Sequence, residues 1–297
     1  MSTAKDPHSR SSFSVKGVRM TYAEAGEGVP IWLLHGNPTY SYIWRNIIPH
    51  LTSLGHCIAP DLVGMGGSDK LADSGPERYR YAEQREYLFG LFDALIGTEG
   101  VVLVLHDWGA ALGFEWARNH PGAVRGIAYM EPMLMPLSWD LFPPPAVEPF
   151  KAMRGPQGEQ MCLEENFFVE QVIPMAVMRD LSPEEMGAYR RPYQESGEGR
   201  RATLTWPREI PVEGEPDDVA AVLEANCAWL ASSDIPKLFI SADPGMMVTG
   251  KVAERCRTFP NQTEVIVKGA HYVQEDSPDE IGTALASWIT ERVVKED

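Results

Sequence analysis

No uninterrupted apolar run in this 297-residue chain is long enough to span a bilayer, which takes about 20 consecutive and mostly apolar residues. Residues 1–12 are polar and contain no apolar core of the kind a secretory leader carries, so a cytoplasmic protein with no membrane partner is expected. Basic residues are scarce. The 26 Lys and Arg face 42 Asp and Glu, a formal net charge of −16, and such a field repels phosphate at long range and argues against nucleic acid as a partner. The four cysteines, Cys57, Cys162, Cys227 and Cys256, lack the paired spacing of zinc or redox sites. No metal is expected, and the thiols read as buried and reduced. Repeats and low-complexity tracts are missing too, and nothing in the composition sets an oligomeric state.

What is present suffices for a substantial core: 44% of residues are hydrophobic, which fits one domain or one domain with an insertion. Residues 13–25 alternate like a strand, 30–34 form a short apolar strand, and 44–51 look amphipathic and helical. Residues 57–61 end another strand, followed by a glycine-rich loop at 64–68 that reads as flexible. Helical spacing over 81–96, a buried strand at 101–105 and a strand at 124–130 continue the alternation. The pattern then changes. Residues 133–212 are rich in Pro, Met and aromatics and show helical periodicity without buried strand runs, whereas strands return at 237–241 and 263–267 before an amphipathic helix over 279–294. Such alternation predicts an α/β fold with a mostly parallel sheet covered on both faces. The expected organisation is a flexible N-terminus at 1–12, a core domain over 13–132 and 213–297, and a helical lid over 133–212.

The most informative position is Asp107. The strand at 101–105 runs into His106-Asp107-Trp108-Gly109 and then into an alanine-rich helical stretch, which is the strand, sharp turn and helix of a nucleophile elbow. A hydroxyl usually occupies that place and attacks acyl carbon. A carboxylate suits attack on an alkyl carbon that expels a leaving group or opens a strained ring. The second half of such a reaction needs a base, and His271 follows the last strand, in the chain order of an α/β-hydrolase. For the acid that orients it there are two candidates, Glu131 after the strand at 124–130 and Asp243 after the strand at 237–241, and spacing does not choose between them. Asn37 and Trp108 offer N–H donors for developing negative charge. The plainer roles are turn chemistry before Pro38 for Asn37 and core packing for Trp108.

His35-Gly36-Asn37-Pro38-Thr39, Trp44-Arg45-Asn46, the run from Asp61 to Ser68, His106-Asp107-Trp108-Gly109 and Gly269-Ala270-His271 together resemble the haloalkane dehalogenases. The resemblance runs from Phe13 to the last helix. It implies an α/β-hydrolase fold and attack by Asp107 on a halogenated carbon. It further implies a covalent alkyl ester, hydrolysis of that ester by water activated on His271, and no cofactor. It assigns Glu131 as the acid and Asn37 with Trp108 as the halide-binding pair. By position it brings Phe150, Phe168, Trp206, Pro207, Met246 and Met247 to the substrate pocket, where ordinary lid core has the same composition. The implied partners are a small halogenated hydrocarbon and a halide ion. Other readings share parts of the pattern. The runs from Asn166 to Glu170, from Trp206 to Pro211 and from Asp243 to Gly245 are similar to the coelenterazine luciferase of sea pansies, although Pro38 and the Met246-Met247 pair depart from it. Epoxide hydrolases share the elbow and use lid tyrosines, for which Tyr189 and Tyr193 are present in an unfamiliar context. A silent binding protein on the same scaffold would not need nucleophile, base, acid and donors together.

Overall fold

The computed structural model describes residues 3–95 and 100–293. Eight strands make one sheet: β1 (Ser9–Val15), β2 (Val18–Ala25), β3 (Pro30–Leu34), β4 (His56–Pro60), β5 (Val101–His106), β6 (Val124–Pro132), β7 (Lys237–Pro244) and β8 (Gln262–Gly269). Their order is β1-β2-β4-β3-β5-β6-β7-β8. Only β2 runs against its neighbours, so the sheet is mostly parallel. The helices are α1 (Tyr81–Leu95), α2 (Asp107–Asn119), α3 (Pro144–Arg154), α4 (Ile173–Met175), α5 (Pro183–Arg190), α6 (Arg201–Glu209), α7 (Asp217–Ser232), α8 (Gly250–Cys256), α9 (Val273–Asp276) and α10 (Pro278–Trp288).

Strand β5 explains why the site forms where it does. Every residue of it is buried, and its period of two divides the core: Val101, Leu103 and Leu105 pack with α1 and α2 on one face, Val102 and Val104 with Ile31, Leu33 and Ile240 on the other. A strand buried on both faces ends with its last side chain delivered to the carboxyl edge of the sheet, where β6 and the loop after β8 also end. Between β6 and β7 the described residues form no strand of the sheet, only α3 to α7, short 3₁₀ turns and π-helical turns at Glu159–Glu164 and Phe168–Val172.

Three local expectations need correction. The segment 1–12 is not a free tail over its described part. Residues Ser9 to Ser12 pair with β2, and before them Thr3 N–H donates to Asn46 Oδ1 at 3.0 Å while the Tyr42 hydroxyl donates to Ala4 O at 2.6 Å. A polar edge strand is held by backbone hydrogen bonds, so hydrophobic patterning does not reveal it; Met1 and Ser2 lie outside the described residues. The helix expected over 44–51 is instead two 3₁₀ turns, Ser41–Trp44 and Ile48–His50. Pro49 has no N–H to give the Arg45 carbonyl, and the His8 ring bonds that carbonyl at 2.9 Å. The loop at 64–68 is tied down rather than flexible, with Gly67 N–H on Asp61 Oδ2 at 2.8 Å and the Ser68 hydroxyl on Asp61 O at 2.6 Å. At the chain's end α10 stops at Trp288 and continues as a π-helical turn, Ile289–Val293. Ile96 and Val294, the expected ends of the helices over 81–96 and 279–294, lie outside the described residues.

Candidate active site

Asp107 starts α2 with φ of 51°, a left-handed backbone that a non-glycine residue adopts at a cost. Glycines make the turn possible. A Cβ on Gly109 would lie 2.4 Å from the His35 carbonyl oxygen, and one on Gly36 would lie 2.5 Å from Asp107 Cβ, so neither position admits a side chain. The carboxylate therefore stands at the tip of β5 with the loop 36–37 against it. Backbone N–H groups of Trp108 and Asn37 face it and favour its ionised form. Burial nevertheless dominates, and the Asp107 carboxyl is pushed up to about 6.

His271 faces Asp107 from the loop after β8. Its Nδ1 lies 3.1 Å from Glu131 Oε2 and its Nε2 lies 3.9 Å from Asp107 Oδ2, so Nδ1–H donates to the Glu131 carboxylate and Nε2 faces the Asp107 carboxylate. Burial pushes the imidazole down, but the hydrogen bond to Glu131 and the charge on Asp107 outweigh it and hold the pKa above the ordinary histidine value. Glu131 is buried with φ of 41°, and the backbone N–H groups of Met246, Met247 and Val248 donate to it at 3.4, 2.8 and 3.3 Å. Those bonds leave its carboxylate a single orientation. Asp243 is exposed at the end of β7, and among the described residues its side chain has no hydrogen bond or ion pair. Geometry thus separates the two acids that spacing left equal: Glu131 reaches His271 and Asp243 does not.

In front of Asp107 lies a narrow apolar cavity. Asn37, Trp108, Phe150, Phe168, Pro207, Met246 and Met247 line it. Trp206 does not. Successive helical residues point about 100° apart, and with Pro207 turned to the cavity Trp206 points away and stacks on the Trp108 ring at 4.7 Å. Met133, Ala146, Val172, Ile210 and Tyr272 also line the cavity without having been anticipated. Of these only Tyr272 carried a signal, its place beside His271. Asn37 Nδ2 donates to Thr203 O at 3.2 Å, which leaves its second hydrogen free, and the Trp108 indole N–H has no partner among the described residues. Tyr189 and Tyr193, the tyrosines an epoxide opening would need, are fully buried and donate to Glu275 and to Pro38 O. Among the described residues no group of three or more His, Cys, Asp or Glu could hold a metal, and no helix is long and apolar enough to cross a membrane.

A family model described as the alpha/beta hydrolase fold matches residues 29–154. Over 290 residues, 97% of this chain and 98% of the relative, the sequence is 54% identical to a haloalkane dehalogenase of Sphingobium indicum. The chain belongs to the haloalkane dehalogenase family. Among solved structures, a haloalkane dehalogenase from Bradyrhizobium elkani superposes with a TM-score of 0.89 at 44% identity, covering 95% of this chain and 97% of that one. The second resemblance holds at greater distance: the coelenterazine h 2-monooxygenase of Renilla reniformis is 43% identical over 89% of this chain and 84% of its own length. Against that relative, the dehalogenase match is both higher in identity and more complete.

Proposed function

We propose that this chain hydrolyses the carbon–halogen bond of small haloalkanes to give an alcohol, a halide ion and a proton. The observation that carries this reading is a carboxylate, not a hydroxyl, at the elbow, with an apolar cavity before it and Nε2 of His271 at 3.9 Å. An Asp107 oxygen attacks the halogen-bearing carbon, a C–O bond forms, and the C–X pair leaves with the halide. The free hydrogen of Asn37 Nδ2 and the Trp108 indole N–H stabilise the departing charge. Water then attacks the ester carbonyl, His271 Nε2 takes its proton, and Glu131 steadies the imidazolium. The Asn37 and Trp108 backbone N–H groups, which face the Asp107 carboxylate, are the donors for the resulting oxyanion. Phe150, Phe168, Pro207, Met246 and Met247 contribute apolar contact to the alkyl chain. Residues 133–212 serve as the lid and 13–132 with 213–297 as the core domain. Four free and buried thiols suit a reducing compartment, and we place the activity in the cytoplasm.

Halide release from a panel of brominated alkanes, measured beside light output with coelenterazine, tests the reading. Halide without light is expected, and light without halide overturns it. The acid is tested separately. Glu131→Gln should slow ester hydrolysis by about 10²–10⁴-fold while sparing alkylation, because only the second step develops imidazolium charge. Asp243→Asn, altering an exposed group, should stay within about twofold of the parent. Pre-steady-state bursts distinguish them, and a stalled Asp243→Asn beside a normal Glu131→Gln reverses the assignment. The pH dependence has a definite sign. Protonation removes the nucleophile, so single-turnover alkylation should fall as pH drops through about 6, where burial sets the Asp107 carboxyl. Rapid-quench measurements across that range check it.

A further inference from the structure

Asn37 has a demanding task and little to hold its side chain. Nδ2 makes one hydrogen bond, to Thr203 O at 3.2 Å, and the buried Oδ1 has no partner among the described residues. The backbone around it is held much more firmly. Gly36 O lies 2.8 Å from His35 Nδ1 and accepts from the Thr39 hydroxyl at 3.1 Å, Asn37 O accepts from the Tyr272 hydroxyl at 3.0 Å, and Pro38 O accepts from the Tyr193 hydroxyl at 2.9 Å. Three successive carbonyls are thus occupied by side-chain donors. The Asn37 carbonyl is thus held by the Tyr272 hydroxyl, and its N–H faces Asp107.

We propose that Tyr193 and Tyr272 are positioning residues for this reaction, whose hydroxyls hold the Pro38 and Asn37 carbonyls and thereby aim the Asn37 amide at the leaving halide. The inference rests on the roles given above to Asp107 and Asn37. The two tyrosines come from different parts of the chain. Tyr272 follows His271 directly. Tyr193 sits in the 3₁₀ turn Arg191–Tyr193 after α5, and its own carbonyl accepts from Arg200 Nε at 2.8 Å, while Arg200 Nη1 reaches Leu163 O and Glu164 O at 2.8 Å each. The halide-facing loop is therefore fastened on one side to the element bearing the base and on the other to the segment between β6 and β7. Burial keeps both phenols far above their ordinary pKa, so they remain neutral donors throughout the working pH range. A donor lost here leaves a buried carbonyl unpaired, and the peptide can rotate to recover a partner at the expense of the aim of Asn37.

Tyr193→Phe and Tyr272→Phe keep the rings and delete the bonds. Tyr40→Phe is the control, because the buried Tyr40 hydroxyl donates to Ala188 O at 3.0 Å and touches none of these carbonyls. Halide affinity is read from quenching of tryptophan fluorescence by bromide and chloride, and alkylation from single-turnover quench. In Tyr193→Phe and Tyr272→Phe we expect halide dissociation constants to rise about 5–20-fold and alkylation to slow by a similar factor. In Tyr40→Phe both should stay within about twofold although thermal stability falls comparably. Because Tyr272 acts through Asn37, Tyr272→Phe should cost no further halide affinity once Asn37 is replaced by alanine. The inference is overturned if the two variants lose thermal stability alone, or if Tyr40→Phe weakens halide binding as much as they do. A parent protein that releases no halide from any substrate removes the proposed function itself, a result distinct from an active parent with indifferent tyrosine variants.

Discussion

Asp107→Asn should release no halide from 1-bromobutane, a loss of at least about 10⁴-fold, while the protein folds as well as the parent or better. The chemical half follows from the step itself: a carboxamide oxygen has neither the charge nor the basicity to displace a halide from sp³ carbon. The stability half follows from burial. Desolvation is the largest influence on the Asp107 carboxyl and raises it to about 6, which means that the fold bears a cost for the charge it keeps there. An amide side chain fills nearly the same volume without that cost and can still accept from the Trp108 and Asn37 N–H groups. A melting temperature at or above the parent's, beside absent turnover, is the expected pair of results. Halide release at the parent rate by a folded variant, with intact-protein mass confirming that the introduced amide has not been hydrolysed back to a carboxylate, would falsify the assignment of the nucleophile.

The second large effect separates the two halves of the reaction. His271→Phe should still be alkylated, because attack needs no base, and should then stop, since the imidazole is the group placed to take the proton of the attacking water. One halide per chain, followed by a drop of about 10³-fold or more in turnover, is expected. Intact-protein mass spectrometry should show one bound alkyl group after incubation with a good substrate. Removing the imidazole also changes the nucleophile, with a predictable sign. His271 lowers the Asp107 pKa through its charge, so without it the carboxyl rises beyond about 6 and the alkylation profile moves to higher pH. An unmodified mass at alkaline pH, where Asp107 is ionised with or without its partner, would contradict this division of labour.

The proposed chemistry was legible in the sequence because it depends on residue type at places the chain itself defines. A buried apolar strand running into Asp107, with glycine two positions later and an alanine-rich helix beyond, specifies an elbow by local sterics: Asp107 has φ of 51° and Gly109 has no room for a Cβ. His271 was equally plain from its place after the last strand. Some of the fold was hidden for the opposite reason. The β1 residues Ser9 to Ser12 are held by backbone pairing at a polar edge, which leaves no hydrophobic pattern, and Trp44 to Leu51 matches a helix in apolar spacing yet has Pro49 within it.

What the chain could nominate alone was a candidate carboxylate nucleophile, a candidate base, two candidate acids and candidate donors beside them, since each of these belongs to one strand end or one turn. The choice between Glu131 and Asp243 belonged to tertiary structure. Both close a strand of the same sheet, but the loop 246–248 folds its N–H groups onto Glu131 and turns it toward His271, whereas Asp243 is left in solvent. The pocket was decided in the same way. Trp206 and Pro207 are adjacent in sequence and occupy different sides of α6, Pro207 on the cavity and Trp206 on the Trp108 ring, a contact between residues far apart in the chain that no local pattern encodes.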